Sequence, residues 1–156
     1  MTALPPSTPD VHWRRPLATD IQPLHALIRA SEVADEAPFA SSLEEVRQYA
    51  ADPDLDLASD VLLGGLEGGR LACFAAVQMR QQQVNRRAVA LFGAVHPEFR
   101  RRGLGTIMLR WSEAHAREKL ARHDDDLPHF LEAWFDERLR DRRALFTSFG
   151  YRPIRF

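Results

Sequence analysis

The sequence predicts an α/β domain of the α+β type, a mixed sheet with helices on both faces, and three observations carry that reading. Ala88-Val89-Ala90-Leu91-Phe92 is apolar at consecutive positions, as in a strand buried on both sides and central in its sheet. Leu104, Ile107, Met108 and Trp111 follow one another at i, i+3, i+4 and i+7 with charge on the opposite side, the stripe of an amphipathic helix facing a core. Val61-Leu62-Leu63 and Arg70 to Met79 are apolar stretches joined by Glu67-Gly68-Gly69, which reads as a hairpin turn.

The remaining elements are set by local chemistry. After a polar leader, residues 1–10, Val11 to Pro16 reads as a short strand ended by proline. Thr19-Asp20-Ile21-Gln22 offers a capping box for a helix carrying Ile21, Leu24, Leu27 and Ile28. A second box, Ser42-Leu43-Glu44-Glu45, opens a helix through Val46 and Ala50 that stops before Pro53. Arg86 to Val95 is the central strand, Gly103 to Leu120 the long helix, and His129 to Phe135 a strand entered at Pro128, with Trp134 and Phe135 expected in the core. A helix from Asp141 to Phe149 ends at Gly150, a natural C′ residue, and Tyr151 to Phe156 begins a last strand.

Length and charge narrow the function classes. The 156 residues amount to about one domain, placed at residues 11–156. Charged side chains sum to 21 − 22 = −1, so no global field draws the chain to nucleic acid or an anionic membrane, and any anion site is local. The single cysteine, Cys73, excludes an intrachain disulfide and an all-cysteine zinc site, suits a reducing compartment, and reads as a packed thiol within an apolar strand. No basic start precedes an apolar run at the amino terminus, and no apolar run approaches the roughly 20 residues of a membrane span, so the expected location is cytoplasmic. His123-Asp124-Asp125-Asp126 with His129 lacks metal-ligand spacing and reads as a polar connection, so no metal is expected. Gly64-Gly65 and Gly68-Gly69 open no helix and read as turn chemistry between strands.

The informative segment is strand, turn and helix in succession: Ala90 to Val95, His96-Pro97-Glu98-Phe99, then Arg100-Arg101-Arg102-Gly103-Leu104-Gly105-Thr106. A helix start leaves about four N–H groups without intrahelical partners and carries roughly half a positive charge, which favours phosphate oxygens. Gly103 and Gly105 permit close approach, and the arginines add local cationic charge, so the expected guest is a pyrophosphate. Gly105 is followed by Thr106 and Ile107, not by the Lys-Ser/Thr pair of a P-loop. The three-glycine turn of a Rossmann motif is also absent, its first glycine position being held by arginine.

Arg100-x-x-Gly103-x-Gly105 after a strand resembles the acyl-CoA signature of the GNAT superfamily of N-acyltransferases. Asp141-x-x-Ala144-x-Phe146-x-x-Phe149-Gly150-Tyr151 resembles that family's second signature near the carboxyl end, and the likeness covers roughly Val11 to the end. The resemblance implies an acyl-CoA N-acyltransferase fold with a mostly antiparallel sheet. It implies acetyl-CoA held through Ala94, Val95, Arg100, Arg101, Arg102, Gly103, Leu104, Gly105, Thr106, Asp141 and Phe146, and direct acetyl transfer to a primary amine on a small molecule or peptide. The alternative is a non-catalytic acyl-CoA-binding or structural domain.

In the family a backbone N–H on the strand before the loop meets the thioester carbonyl, and Val95 is the candidate. Where relatives hold a strand glutamate, Ala90-Leu91-Phe92-Gly93 has none. Glu132, on the next strand beside Phe130 and Trp134, is therefore the candidate base, with pairing to an arginine as its competing role and His96 or Glu98 as holders of a relay water. Phe146 stands where the family often has an acidic tyrosine, and a phenyl ring has no proton to give; Thr147 is a substitute hydroxyl. Asp141 stands nearest to a family asparagine, without its amide donor and closer to Gly150 than usual. The family continues through another strand after the region of Tyr151 to Phe156, so a missing last strand, a tandem partner domain or a homodimer is expected. Asp35, Glu36 and Asp124 to Asp126 suggest a cationic acceptor.

Overall fold

The computed structural model describes residues 1–154. Five strands form one sheet in the order β1 (His12–Arg14), β2 (Val61–Gly65), β3 (Leu71–Met79), β4 (Arg87–Val95) and β5 (His129–Glu132). The first four pair antiparallel and β5 joins β4 in parallel, which makes the sheet mixed, with β4 between two neighbours as its two-sided apolar run requires. Helices α1 (Ile21–Ala34) and α2 (Leu43–Ala50) lie with one face, and α4 (Leu104–Leu120) and α5 (Arg140–Ser148) with the other. A short helix, α3 (Leu57–Asp60), feeds β2 and went unnoticed in the sequence, although Asp56 caps it through the Ala58 N–H.

Side-chain alternation along β4 builds the two layers. Val89 and Leu91 join Leu104, Met108 and Trp111 in the core under α4, while Phe92 packs with Leu24, Leu27 and Leu63 under α1. The Ser42 box forms as predicted: the Glu45 N–H donates to Ser42 Oγ at 3.1 Å and the Ser42 N–H to Glu45 Oε2 at 2.6 Å. The Thr19 box does not form. Asp20 turns back to accept the Leu17 N–H and both Arg14 η nitrogens, because a buried carboxylate facing a guanidinium is better satisfied there than by a helix cap.

Three further expectations are corrected. Gly64 and Gly65 lie inside β2 instead of in the turn; a Cβ on Gly64 would stand 2.4 Å from Cys73 Sγ, so glycine there permits close packing of β2 on β3. β5 stops at Glu132, and Trp134 is 58% exposed instead of core, because β5 is the sheet's outer strand among the described residues and Trp134 lies beyond its end. Tyr151 to Ile154 form no strand, and the rest of that expected strand, 155–156, lies outside the described residues.

Helix α4 is fixed to the sheet by a buried polar cluster. Asp60, at the end of α3, accepts from His115 Nε2 at 2.7 Å and from Lys119 Nζ at 2.8 Å, and Thr2 Oγ1 meets His115 Nδ1 at 2.8 Å. Burial alone would raise the Asp60 carboxyl, but these bonds and the Asp56 N–H outweigh it and bring its pKa down to about 2. Cys73 is fully buried, and that burial raises its pKa to about 12, so it is an inert thiol.

Candidate active site

The site begins where two strands part. β4 and β5 pair from Arg87 opposite His129 to Ala90 opposite Glu132, and beyond that point, among the described residues, Leu91–Val95 has no strand on its β5 side. The His96 N–H donates to Ala72 O of β3 at 2.7 Å, so alternation sends the N–H and C=O groups of Gly93 and Val95 to the open edge and those of Ala94 toward β3. Gly93 is a required glycine, since a Cβ there would lie 2.7 Å from Phe74 O.

The open edge leads to the first turn of α4. Gly103, the N-cap, has φ 82° and supplies no side-chain cap, and no acidic residue stands in the first turn. The first intrahelical bond through this end runs from the Ile107 N–H to Gly103 O, which leaves the N–H groups of Leu104, Gly105 and Thr106 for a ligand. Arg101 is also left-handed, with φ 67°, so two such residues in three shape the turn. At Gly105 a Cβ would stand 3.1 Å from Leu145 Cδ2, and its absence lets α5 approach this turn.

The three arginines are not equivalent. Arg100 donates Nε to Val95 O at 3.1 Å and both η nitrogens to Asp35, with a further bond to Ser31 Oγ, so it latches the end of β4 to the end of α1. Arg102 lies over the Phe99 ring at 5.0 Å and is exposed at the loop. Arg101 forms an exposed ion pair with Asp141 at 3.0 Å, which brings the two signature segments together at the surface. Phe146 packs between Phe135 and Tyr151, with centroids 5.2 and 5.0 Å away.

Arg142 enters the gap between β4 and α5 and was not singled out from the sequence. Its Nη2 donates to Gly93 O at 3.2 Å, and its guanidinium lies 5.8 Å from the Phe135 ring centre. Burial pushes its pKa below the ordinary arginine value; Asp35 acts in the opposite direction and Arg100 in the same one. The signal was present, because Arg142, Leu145, Phe146 and Phe149 share one helical face at i, i+3, i+4 and i+7.

Glu132 lies on the α1 side of the sheet, paired with Arg86 at 3.4 Å. Of the two environments expected for it, the arginine partner is the one found. Its register opposite Ala90 sets it three residues, about 10 Å, from Gly93 along the strand and about 17 Å from Val95. Beside it opens a cavity of about 730 Å³ between β4, β5 and the hairpin that joins β3 to β4. His96 Nδ1 accepts the Glu98 N–H, and Thr147 is exposed on α5. Of the five acidic loop residues, Asp35 is engaged by Arg100 and Asp125 by Arg87.

A family model described as the GNAT acetyltransferase family matches residues 24–151. Among solved structures, a GCN5-related N-acetyltransferase from Sphaerobacter thermophilus is 27% identical with a TM-score of 0.78, over 92% of this chain and 44% of that one. The chain thus spans less than half of that relative's length. Two structures solved with acetyl-CoA share the fold. One, from Clostridium acetobutylicum, has 17% identity and a TM-score of 0.68 over 92% of this chain and 91% of its own. The other, a GNAT family acetyltransferase from Brucella melitensis, has 16% and 0.62 over 92% and 83%. No curated protein matches the sequence. Among the described residues no helix is long and apolar enough to cross a membrane.

Proposed function

The chain belongs to the GNAT family of acetyltransferases, and from that premise we propose that it binds acetyl-CoA and transfers the acetyl group to a primary amine by direct attack. The observation that carries the reading is the continuity between an unpaired strand edge, with the Gly93 and Val95 N–H groups on it, and the uncapped first turn of α4. The diphosphate belongs on the N–H groups of Leu104, Gly105 and Thr106, with Arg101 and Arg102 at its rim. The pantetheine arm belongs along β4, where Val95 is met first and Gly93 lies deeper.

Acetyl-CoA supplies the activated acyl carbon. The neutral amine attacks that carbon, the carbonyl oxygen takes up negative charge against a strand N–H, and the carbon–sulfur bond then breaks to release thiolate. The amine's proton passes through water to Glu132, since a carboxylate about 10 Å along the strand from Gly93 does not reach the amine directly. A proton from solvent returns to the sulfur, as Phe146 has none to give.

The test is calorimetry with acetyl-CoA together with detection of free thiol across an amine panel. Binding and amine-dependent thiol release are expected, and absence of binding would refute the proposal. A second reading, binding without turnover, is favoured by one observation: Arg142 already holds Gly93 O, on the edge the arm would use. Binding with no thiol release from any amine would support it. A second unit, whether a copy of this chain or a tandem domain, is also a proposal; its support is the outer strand β5, beside which Phe130 and Trp134 are 48% and 58% exposed.

A further inference from the structure

Acetyl transfer needs a pocket for the amine, and assigning the cavity beside Glu132 to that role rests on the acetyl-transfer reading. The floor of this cavity is the α1-side face of β4, where Ala88 and Ala90 are too small to fill the space in front of Phe92. One wall is Glu132 with the exposed Trp134 ring, and the rim is the hairpin that carries Arg80 and Arg86. Two cations therefore face one carboxylate.

The ion pair inside this cavity is loose. Arg86 Nη2 stands 3.4 Å from Glu132 Oε2, longer than the roughly 2.7–2.9 Å of a tight guanidinium–carboxylate bond. Arg80 makes no ion pair among the described residues and leaves the rim a net positive charge. By contrast, Asp35 and Asp125, from the acidic loops, are bound by Arg100 and Arg87. A polycationic acceptor thus finds one carboxylate, Glu132, and two arginines in the lining of the cavity.

We propose that the acceptor is a small amine bearing a carboxylate at its far end, with the amine beside Phe92 and the carboxylate held by Arg80 and Arg86. The guanidinium of Arg86 reaches the level of Glu132 and Ala90, two to three strand residues from Phe92 and Gly93. The distance between amine and anion is then about 7–10 Å, the span of two or three extended peptide residues or of an ω-amino acid. Trp134 covers the stem, and Glu132, at the level of Arg86, reaches the amine only through water.

The test uses the full chain with acetyl-CoA and measures thiol release for matched acceptors: di- and triglycine, the same peptides as carboxyl-terminal amides, and spermidine. The free-carboxylate peptides are expected to exceed their amides at least tenfold in kcat/KM. In Arg80→Ala and Arg86→Gln that ratio is expected to fall below threefold, and Arg80→Lys should keep most of it. The ratio is taken within one protein, so partial misfolding of a variant does not produce it. Equal use of acid and amide, or preference for spermidine, overturns the inference while acetyl transfer stands. Thiol release from no amine, with acetyl-CoA still bound, overturns the inference and the catalytic reading together.

Discussion

Arg142→Ala is the substitution with the sharpest consequence for acyl-CoA binding. In the wild-type chain the guanidinium crosses the gap beside β4 and donates to Gly93 O at 3.2 Å. A ligand arm paired in extended fashion with this edge needs that carbonyl and that space, so binding has to displace the side chain. A hydrogen bond from a charged donor contributes about 1.5–3 kcal/mol net, and one at the long end of the range falls near the lower figure. Removing the competitor therefore returns about 1.5 kcal/mol to the ligand, roughly a tenfold lower Kd for coenzyme A. Burial depresses the pKa of this arginine, and relief of that penalty offsets part of the lost hydrogen bond, so Tm should fall only slightly. Isothermal calorimetry on both proteins measures the effect. Weaker binding by the variant would make Arg142 a ligand contact, and an unchanged Kd would mean that the arm does not use the Gly93 edge; either result refutes the competition.

Other perturbations address the scaffold and the proton path. Glu132→Gln is expected to lower kcat about 100-fold, as loss of a general base does, whereas an unchanged rate would remove Glu132 from the chemistry. Gly93→Ala places a Cβ 2.7 Å from Phe74 O, a backbone atom that cannot swing aside. The expected cost is about 1–3 kcal/mol, seen as a lower Tm together with weaker coenzyme A binding. Asp60 has a folded pKa of about 2 against an ordinary 3.8, a depressed carboxylate, so its contribution is complete above about pH 4 and is lost as pH falls toward 2. That contribution is roughly 2 kcal/mol, and urea unfolding at pH 5 and pH 3 in wild type and Asp60→Asn should show the variant less stable at pH 5, with the gap narrowing at pH 3.

What the sequence made legible was set by range along the chain. The α4 start was readable because Gly103 and Gly105 act through their own backbone, and the β4 run because burial on both faces leaves no polar alternation. The individual fates of the arginines were not readable. Arg100 spends its donors on Ser31 and Asp35, 65 or more residues away in sequence, and nothing local distinguishes it from the exposed Arg101. Trp134 misled because a large aromatic normally enters a core, and only the position of β5 at the margin leaves it exposed. The Asp60 cluster was hidden by its polarity, although His115 continues the stripe of Met108 and Trp111 at i+4 from Trp111, and its ring stacks on that tryptophan at 5.2 Å.

Two carbonyls on the open edge are taken by arginines, Gly93 O by Arg142 and Val95 O by Arg100, while their N–H groups face the gap. In this arrangement the edge offers donors, which suits a carbonyl or an oxyanion but not the alternating donors and acceptors of an extended amide chain. The arginines differ in what releases them. Arg100 is held by four bonds to β4 and the end of α1 and stays; Arg142 has, among the described residues, a single hydrogen bond and feels Arg100 as a like charge and Asp35 as an anion already engaged. Displacing Arg142 thus sends a cation toward positive surroundings unless a new anion arrives, and a diphosphate on the neighbouring first turn of α4 is such an anion. A ligand carrying both an extended arm and phosphates supplies the cause of the displacement and the compensation for it. An arm without phosphates supplies only the first, so Arg142→Ala is expected to lower the Kd of a shorter thioester by a larger factor than that of coenzyme A, read by calorimetry on both ligands.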